Sequence, residues 1–353
     1  MVHPPRMESV LKRLGEFSLA DLDSVWLILR GGSVVDWHRL NIPQATDAHR
    51  FLRSHALDAN DERDRAHIDR IQRAAIEYLR RQFGFPIPRP FEKATIEQLL
   101  AKASSKGHRQ VCACTILKAM HIIHHVESRE LLFSLPMSDQ DLFRLVEERV
   151  YRVVGHMLSS GLPITEFVGG RKHRDSIYTK LLSKSDAHAS AIYDKLRFRI
   201  VTRTRDDILP VLRYLSEHLF PFNYVAPGES INTILPFRSY CQSHARLKSL
   251  CPKLQVPPGD DLNLGGNLFS AESYRIIHFV VDLPVRVSDE VLAAAPAQVQ
   301  QLGSIVFGLC EFQMLDQETE ETNETGEASH DRYKSRQLTA VAQRLKLGKL
   351  PNN

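Results

Sequence analysis
No stretch of the chain approaches the roughly 20 consecutive apolar residues that a membrane-spanning helix requires, and no basic-then-apolar leader opens it. Membrane insertion and secretion are therefore not expected. Cysteine is scarce: Cys112, Cys114, Cys241, Cys251 and Cys310 form no C-x-x-C pair. An odd count without that spacing argues against a disulfide framework and for reduced thiols in a cytoplasmic protein. Strong charge of one sign is also missing, since the net charge is only +4 and by itself indicates no nucleic-acid partner. What remains is a globular composition, 43% hydrophobic and 25% charged over 353 residues, long enough to bury a real core and suggesting two domains.

Charge is unevenly spread along the chain. Between Gly170 and Arg205 stand ten Lys or Arg against three Asp, and between Glu311 and Glu327 seven acids with no Lys or Arg. A basic segment facing polyphosphate and acids able to hold a metal fit a nucleotide enzyme. Two differently charged solvated faces fit the same counts.

Residues 1–165 read as helices. Ser18 is a candidate N-cap for an apolar-periodic run ending near Gly31-Gly32. The segment Glu62 to Gly84 is amphipathic, with Ile68, Ile71, Ala75, Ile76 and Leu79 at helical spacing. Pro86, Pro88 and Pro90 make a stiff connector. Helices are expected at 96–102, 110–126 and 139–159. On the second of these, His121 and His125 stand at i, i+4 beside His124 and Glu127, a spacing that could ligate a metal. No His-Asp pair accompanies them, so packing or surface roles are the expectation. Cys112 and Cys114, two apart on the same helix, are expected to be buried small residues.

The second half changes character. Gly169-Gly170 reads as a turn leading into a short helix, on which Lys172, Ser176 and Lys180 would share one face. Two ammonium groups and a hydroxyl at a helix N-terminus suit a triphosphate, although a solvated basic helix gives the same pattern. Tyr193 to Val201 alternates as a strand that puts Asp194, Leu196, Phe198 and Ile200 on one face and Arg199 on the other. An Asp on an apolar face needs a cation partner. A helix is expected at 206–220, and 221–272 is irregular, rich in Pro, Gly, Ser and Asn. Strands follow at 274–287 and 305–315, the latter projecting Glu311 and Gln313 from one face. A helix from Glu318 to Arg344 precedes a frayed tail over 346–353.

These blocks, in this order, resemble the synthetase domain of RelA/SpoT-type alarmone enzymes. The matching residues are Lys172, His173, Ser176, Ile177 and Lys180; Asp194, Arg199 and Ile200; Tyr274 and His278; Glu311 and Gln313; and Glu324 through Lys334. The resemblance implies an α+β fold, a nucleotidyltransferase-like mixed β-sheet with flanking helices over 166–345, carrying an insertion at about 221–272 and preceded by an all-helical N-terminal domain. It implies a Mg2+-dependent GTP/GDP pyrophosphokinase that moves pyrophosphate from ATP to the 3′-hydroxyl of GDP or GTP, making (p)ppGpp. Asp194 and Glu311 would be catalytic and hold the metal. Lys172, Ser176 and Lys180 would hold the donor phosphates, Tyr274 would stack on the acceptor's guanine and His278 meet its phosphates, and Arg171, Arg199 and Gln313 would also bind nucleotide. The chain departs from the family at Gly170, where an Arg is usual, with Arg171 one step later able to substitute only through a rearranged turn. It departs again at Ser270, Glu272 and Ser273, in place of K-x-N-G, and at Leu315, in place of an Arg. Those departures leave a tRNA 3′ end as an alternative acceptor and a non-catalytic nucleotide sensor as an alternative role. Self-association is compatible with the sequence.

Overall fold
The computed structural model describes residues 12–31, 40–42, 44–183, 195–254, 273–325 and 330–346. Seven helices come first: α1 (Leu19–Arg30), α2 (Ala45–Ser54), α3 (Glu62–Phe83), α4 (Arg89–Glu92), α5 (Ile96–Ala103), α6 (His108–Ser134) and α7 (Asp139–Ser159). Strands and helices then mix. They are β1 (Ile164–Arg171), α8 (Arg174–Ser183), β2 (Leu196–Thr202), α9 (Ile208–His218), β3 (Ile231–Asn232), α10 (Phe237–Ser243) and β4 (Ile277–Arg286). The chain continues through α11 (Asp289–Ala293), α12 (Ala297–Gln300), β5 (Ile305–Asp316), α13 (Gln317–Thr325) and α14 (His330–Arg344). The fold is α+β, as expected, around a mixed sheet.

Local chemistry sets the helix ends. The Ser18 hydroxyl accepts from the Asp21 amide while Asp21 accepts from the Ser18 amide at 2.7 Å, a reciprocal cap that starts α1. Gly31 ends it in the left-handed region at φ 79°, where a side chain would be strained. Asp61 caps α3, and Ser138 and Asp141 cap α7. Helix α6 runs past its expected end at 126, because Ser128 and Leu131 are buried and carry the packed face through a locally polar sequence.

The sheet order is β1-β2-β5-β4-β3, with β2 and β5 parallel and the other pairs antiparallel. Strand β1 corrects the expected turn at Gly169-Gly170. Both glycines are in the ladder, opposite Phe198 and Arg197. A Cβ on Gly169 would come within 2.6 Å of the Tyr151 hydroxyl and 3.0 Å of the Phe198 ring, so this glycine permits close packing.

One face of the sheet is the core. Phe198, Phe312 and Phe279 stand in one registered row on β2, β5 and β4. Their rings lie 5.4–5.6 Å apart, with Phe220 against two of them. Helices α7 and α9 cover this face. The helical half shares the same core, and Arg149 of α7 ties the two together. Its guanidinium donates to the carbonyls of Ser54 at 2.7 Å, Leu219 at 3.0 Å, Arg53 at 3.3 Å and Pro284. Burial brings this guanidinium down to about 10, and four carbonyl acceptors are what make a buried cation tolerable.

The N-terminal half of the other face is covered by α6. His125 stacks on Phe307 at 4.7 Å and reaches Asp282 at 2.8 Å, and His124 meets Phe307 at 5.6 Å. His121 bonds Asn223 at 3.0 Å, and Glu127 pairs with Arg70 at 2.6 Å. These histidines pack the helices onto the sheet. Cys112 and Cys114 are buried. Burial lowers His55 and His67 to about 4 and His121 to about 3, and holds His124 well below its ordinary value.

Each depressed pKa means that the unfolded chain binds protons the native state refuses. Stability is therefore complete above the ordinary value near 6.5 and falls as pH drops from there toward 4. Each histidine removes about 1.4 kcal/mol per pH unit in that window. Urea unfolding between pH 7.5 and 4.5 should show this steep loss, and His124→Phe should flatten it. A midpoint constant across the window would contradict the packing described.

Candidate functional site
The rest of that second face is polar. In a registered row side chains share a face, as do rows two residues apart. One row sets Arg197 of β2 beside Glu311 of β5 and Val280 of β4; the next sets Arg199, Gln313 and His278 side by side. The structure thus brings Glu311, Gln313, His278 and Arg199 onto one surface. Glu311 is only 5% exposed. Its Oε1 accepts from Gln313 Nε2 at 2.5 Å and lies 3.5 Å from His278 Nε2. Among the described residues nothing hydrogen-bonds Oε2. One oxygen accepts from Gln313 with His278 Nε2 close by, and the other is available, which is the geometry a general base or a cation ligand needs.

Helix α13 folds back over this face. Asp316, the last residue of β5, accepts from the Thr319 amide at 3.1 Å and hydroxyl at 2.7 Å and so starts the helix. Glu320 one turn later pairs with Arg199 at 2.9 Å. Arg205 approaches Asp316 at 3.9 Å. The basic and acidic stretches of the sequence thus meet one another here. Burial raises the Glu320 carboxyl, partly offset by Arg199.

Tyr274 precedes β4 rather than opening it. It lies half-buried near Arg199, Arg197, Glu311 and Tyr333, and burial pushes its hydroxyl up. Asn323 of α13 holds this segment by a two-way clamp: its Oδ1 accepts from the Arg275 amide at 3.0 Å and its Nδ2 donates to the Arg275 carbonyl at 2.7 Å. Neither Asn323 nor Glu320 was identified from sequence. Their partners lie 48 and 121 positions away, and locally both belong to an ordinary polar run.

The basic elements are arranged differently from expectation. Lys172 precedes α8, its amide donating to the Lys195 carbonyl at 2.9 Å, so only Ser176 and Lys180 share a helical face. Helix α8 lies against α14, where Gln337 donates to Ser183 at 3.3 Å and Arg344 to the Leu182 carbonyl at 3.1 Å. Arg171 points to the opposite side of β1. Its guanidinium makes a fork with Glu147 of α7 at 2.9 and 2.7 Å. Gly170, opposite Arg197, and Val168, opposite Arg199, are β1 residues on the site face, and a Cβ on Gly170 meets nothing within 4 Å. Leu315 is buried. Asp194, Ser270 and Glu272 lie outside the described residues.

Mg2+ is normally held by one or two carboxylates completed by phosphate oxygens and water. The available Glu311 oxygen is a hard ligand of that kind. Among the described residues no group of three or more His, Cys, Asp or Glu side chains is placed to hold a metal alone. No described helix is long and apolar enough to cross a membrane.

No family model and no curated protein matches the chain. Among solved structures it is similar to small alarmone synthetase 1 from Bacillus subtilis bound to its product pppGpp, at 18% identity and TM-score 0.29 over 57% of this chain and 84% of that one. Small alarmone synthetase 2 from the same organism follows at 14% identity and TM-score 0.28, covering 62% and 94%. A GTP pyrophosphokinase family protein from Streptococcus pneumoniae stands at 16% and 0.27, covering 63% and 89%. At these TM-scores nothing about the site follows from the likeness.

Asn323→Ala removes both part-buried clamp bonds and leaves the Arg275 amide and carbonyl without these partners. A loss of about 2 kcal/mol in urea unfolding is expected. A loss under about 0.5 kcal/mol would mean that the clamp does not hold the segment.

Proposed function
We propose that the chain is a pyrophosphokinase that transfers the β,γ-diphosphate of ATP to the 3′-hydroxyl of GDP or GTP. The observation that carries this reading is the convergence on one sheet face of Glu311, Gln313, His278 and Arg199, residues drawn from separate blocks of the sequence, with the Tyr274 segment clamped beside them by Asn323.

The acceptor hydroxyl oxygen attacks the β-phosphorus, the bond from that phosphorus to the α-bridging oxygen breaks, and AMP leaves. Glu311 takes the hydroxyl proton on Oε2 while Gln313 holds Oε1 with His278 close by, so the carboxylate need not reorganise as it reacts. Tyr274 offers a ring for the acceptor base, and His278 a donor for its phosphates. Lys172, Ser176 and Lys180 clamp the donor triphosphate, with Arg199 released from Glu320 to join them. Asp194 and Glu311 would hold Mg2+, which when bound would supply charge neutralisation at the donor phosphates.

A second reading, nucleotide binding without turnover, is favoured by one feature: Arg171 is committed to Glu147, so β1 itself supplies no cation at Gly170 on the site face.

Purified protein with labelled ATP, Mg2+ and GDP should form a new labelled nucleotide on thin-layer chromatography. Glu311→Gln should lower its rate at least 100-fold with folding unchanged. Product from tRNA in place of GDP would move the acceptor while keeping the donor chemistry; full activity of Glu311→Gln would overturn the assignment.

Gly170→Arg places a guanidinium in open space on the site face, and a charge-assisted contact to phosphate should raise the rate roughly tenfold. The same variant tightening ATP binding in calorimetry, with no product from either protein, would establish the second reading.

A further inference from the structure
Helix α6 is apolar on two sides. Its inner side packs on α3, α5 and β5. Its outer side carries Val111, Thr115, Lys118, Ile122, Val126, Arg129 and Phe133 at spacings of four, three, four, four, three and four, which is one stripe along a helix. The apolar members are exposed: Val111 by 56%, Ile122 by 48%, Val126 by 59% and Phe133 by 79%. A helix surrounded by apolar surface ordinarily has a partner on each side.

We infer that this stripe is the interface between two copies of the chain, paired antiparallel about a two-fold axis at Ile122. The spacing is symmetric about that residue. Antiparallel pairing therefore sets Val111 against Phe133 of the second copy, Ile122 against its own equivalent, Lys118 against Val126 and Thr115 against Arg129.

Charge selects this direction. A parallel pair would oppose Lys118 to Lys118 and Arg129 to Arg129, whereas the antiparallel pair puts an uncharged residue opposite each cation. It also brings exposed Glu130, one turn beyond Val126, within reach of Lys118 of the other copy at both ends. Arg129 lies 5.9 Å over the Phe133 ring, covering the apolar end of the stripe while its charge stays in water.

The size of the patch sets the strength. The stripe is about 35 Å long, and two of them bury on the order of 700 Å2, below the roughly 1,000 Å2 of a stable interface. The dimer is accordingly weak, with a dissociation constant on the order of 10–100 μM.

Sedimentation equilibrium of the full chain from about 1 to 500 μM, a range spanning that constant, tests this. The average mass should rise from the 40.2 kDa monomer toward twice that value. Ile122→Glu opposes two carboxylates at the axis and should leave a monomer at every concentration, with an unchanged thermal melt because the site is exposed. Lys118→Glu or Glu130→Lys should weaken association several-fold, and the double swap should restore it. A wild-type monomer throughout, or association untouched by Ile122→Glu, would overturn the proposal.

Discussion

A carboxylate held in the plane of a sheet, with only one oxygen committed, is the constraint around which this molecule is arranged. Burying Glu311 is costly unless its charge is met. The register of β4 and β5 meets it by bringing Gln313 and His278 to the same oxygen. That register is in turn fixed from behind by the row of Phe198, Phe312 and Phe279. A slip of one residue would exchange the aromatic row for the polar one and destroy both faces. Core packing and site geometry are therefore a single specification.

The helical half contributes to the same sheet. Helix α6 covers the end of the face where Phe307 and Asp282 lie, through His124 and His125, and α7 reaches across to Pro284 through Arg149. The polar surface left open is what these helices do not cover. The site is thus bounded by α6 on one side and by α13 with the Tyr274 segment on the other. The Arg199–Glu320 pair spans that boundary. The arginine of that pair is held by an acid whose own charge burial disfavours.

Much of this was legible in the sequence. Glu311 and Gln313 alternate on a strand, His278 heads an apolar run, and capped amphipathic segments such as 139–159 announce themselves locally. The helix on which Lys172 was placed begins two residues later, and Gly169-Gly170 was read as a turn because glycine pairs usually are. Here one glycine is required by the Tyr151 and Phe198 rings beyond it, a reason visible only in three dimensions. Arg171 lies next to the site in sequence and faces away from it, because strand parity alternates sides. Asn323 and Glu320 escaped notice because long-range partners give a polar residue its meaning. The histidines of α6 pack, as their place on a helix led one to expect, but which aromatic rings they would meet was not readable.

Under the proposed function, nucleotide binds on the face formed by β2, β5 and β4, beside the Tyr274 segment. Photolabelling with an azido-guanosine diphosphate, followed by peptide mapping, tests it most directly. Label in the segment containing Tyr274 and His278, suppressed by excess unlabelled GDP, is the predicted result. Competable label confined to the helices of the first half, with none on that segment, would contradict it.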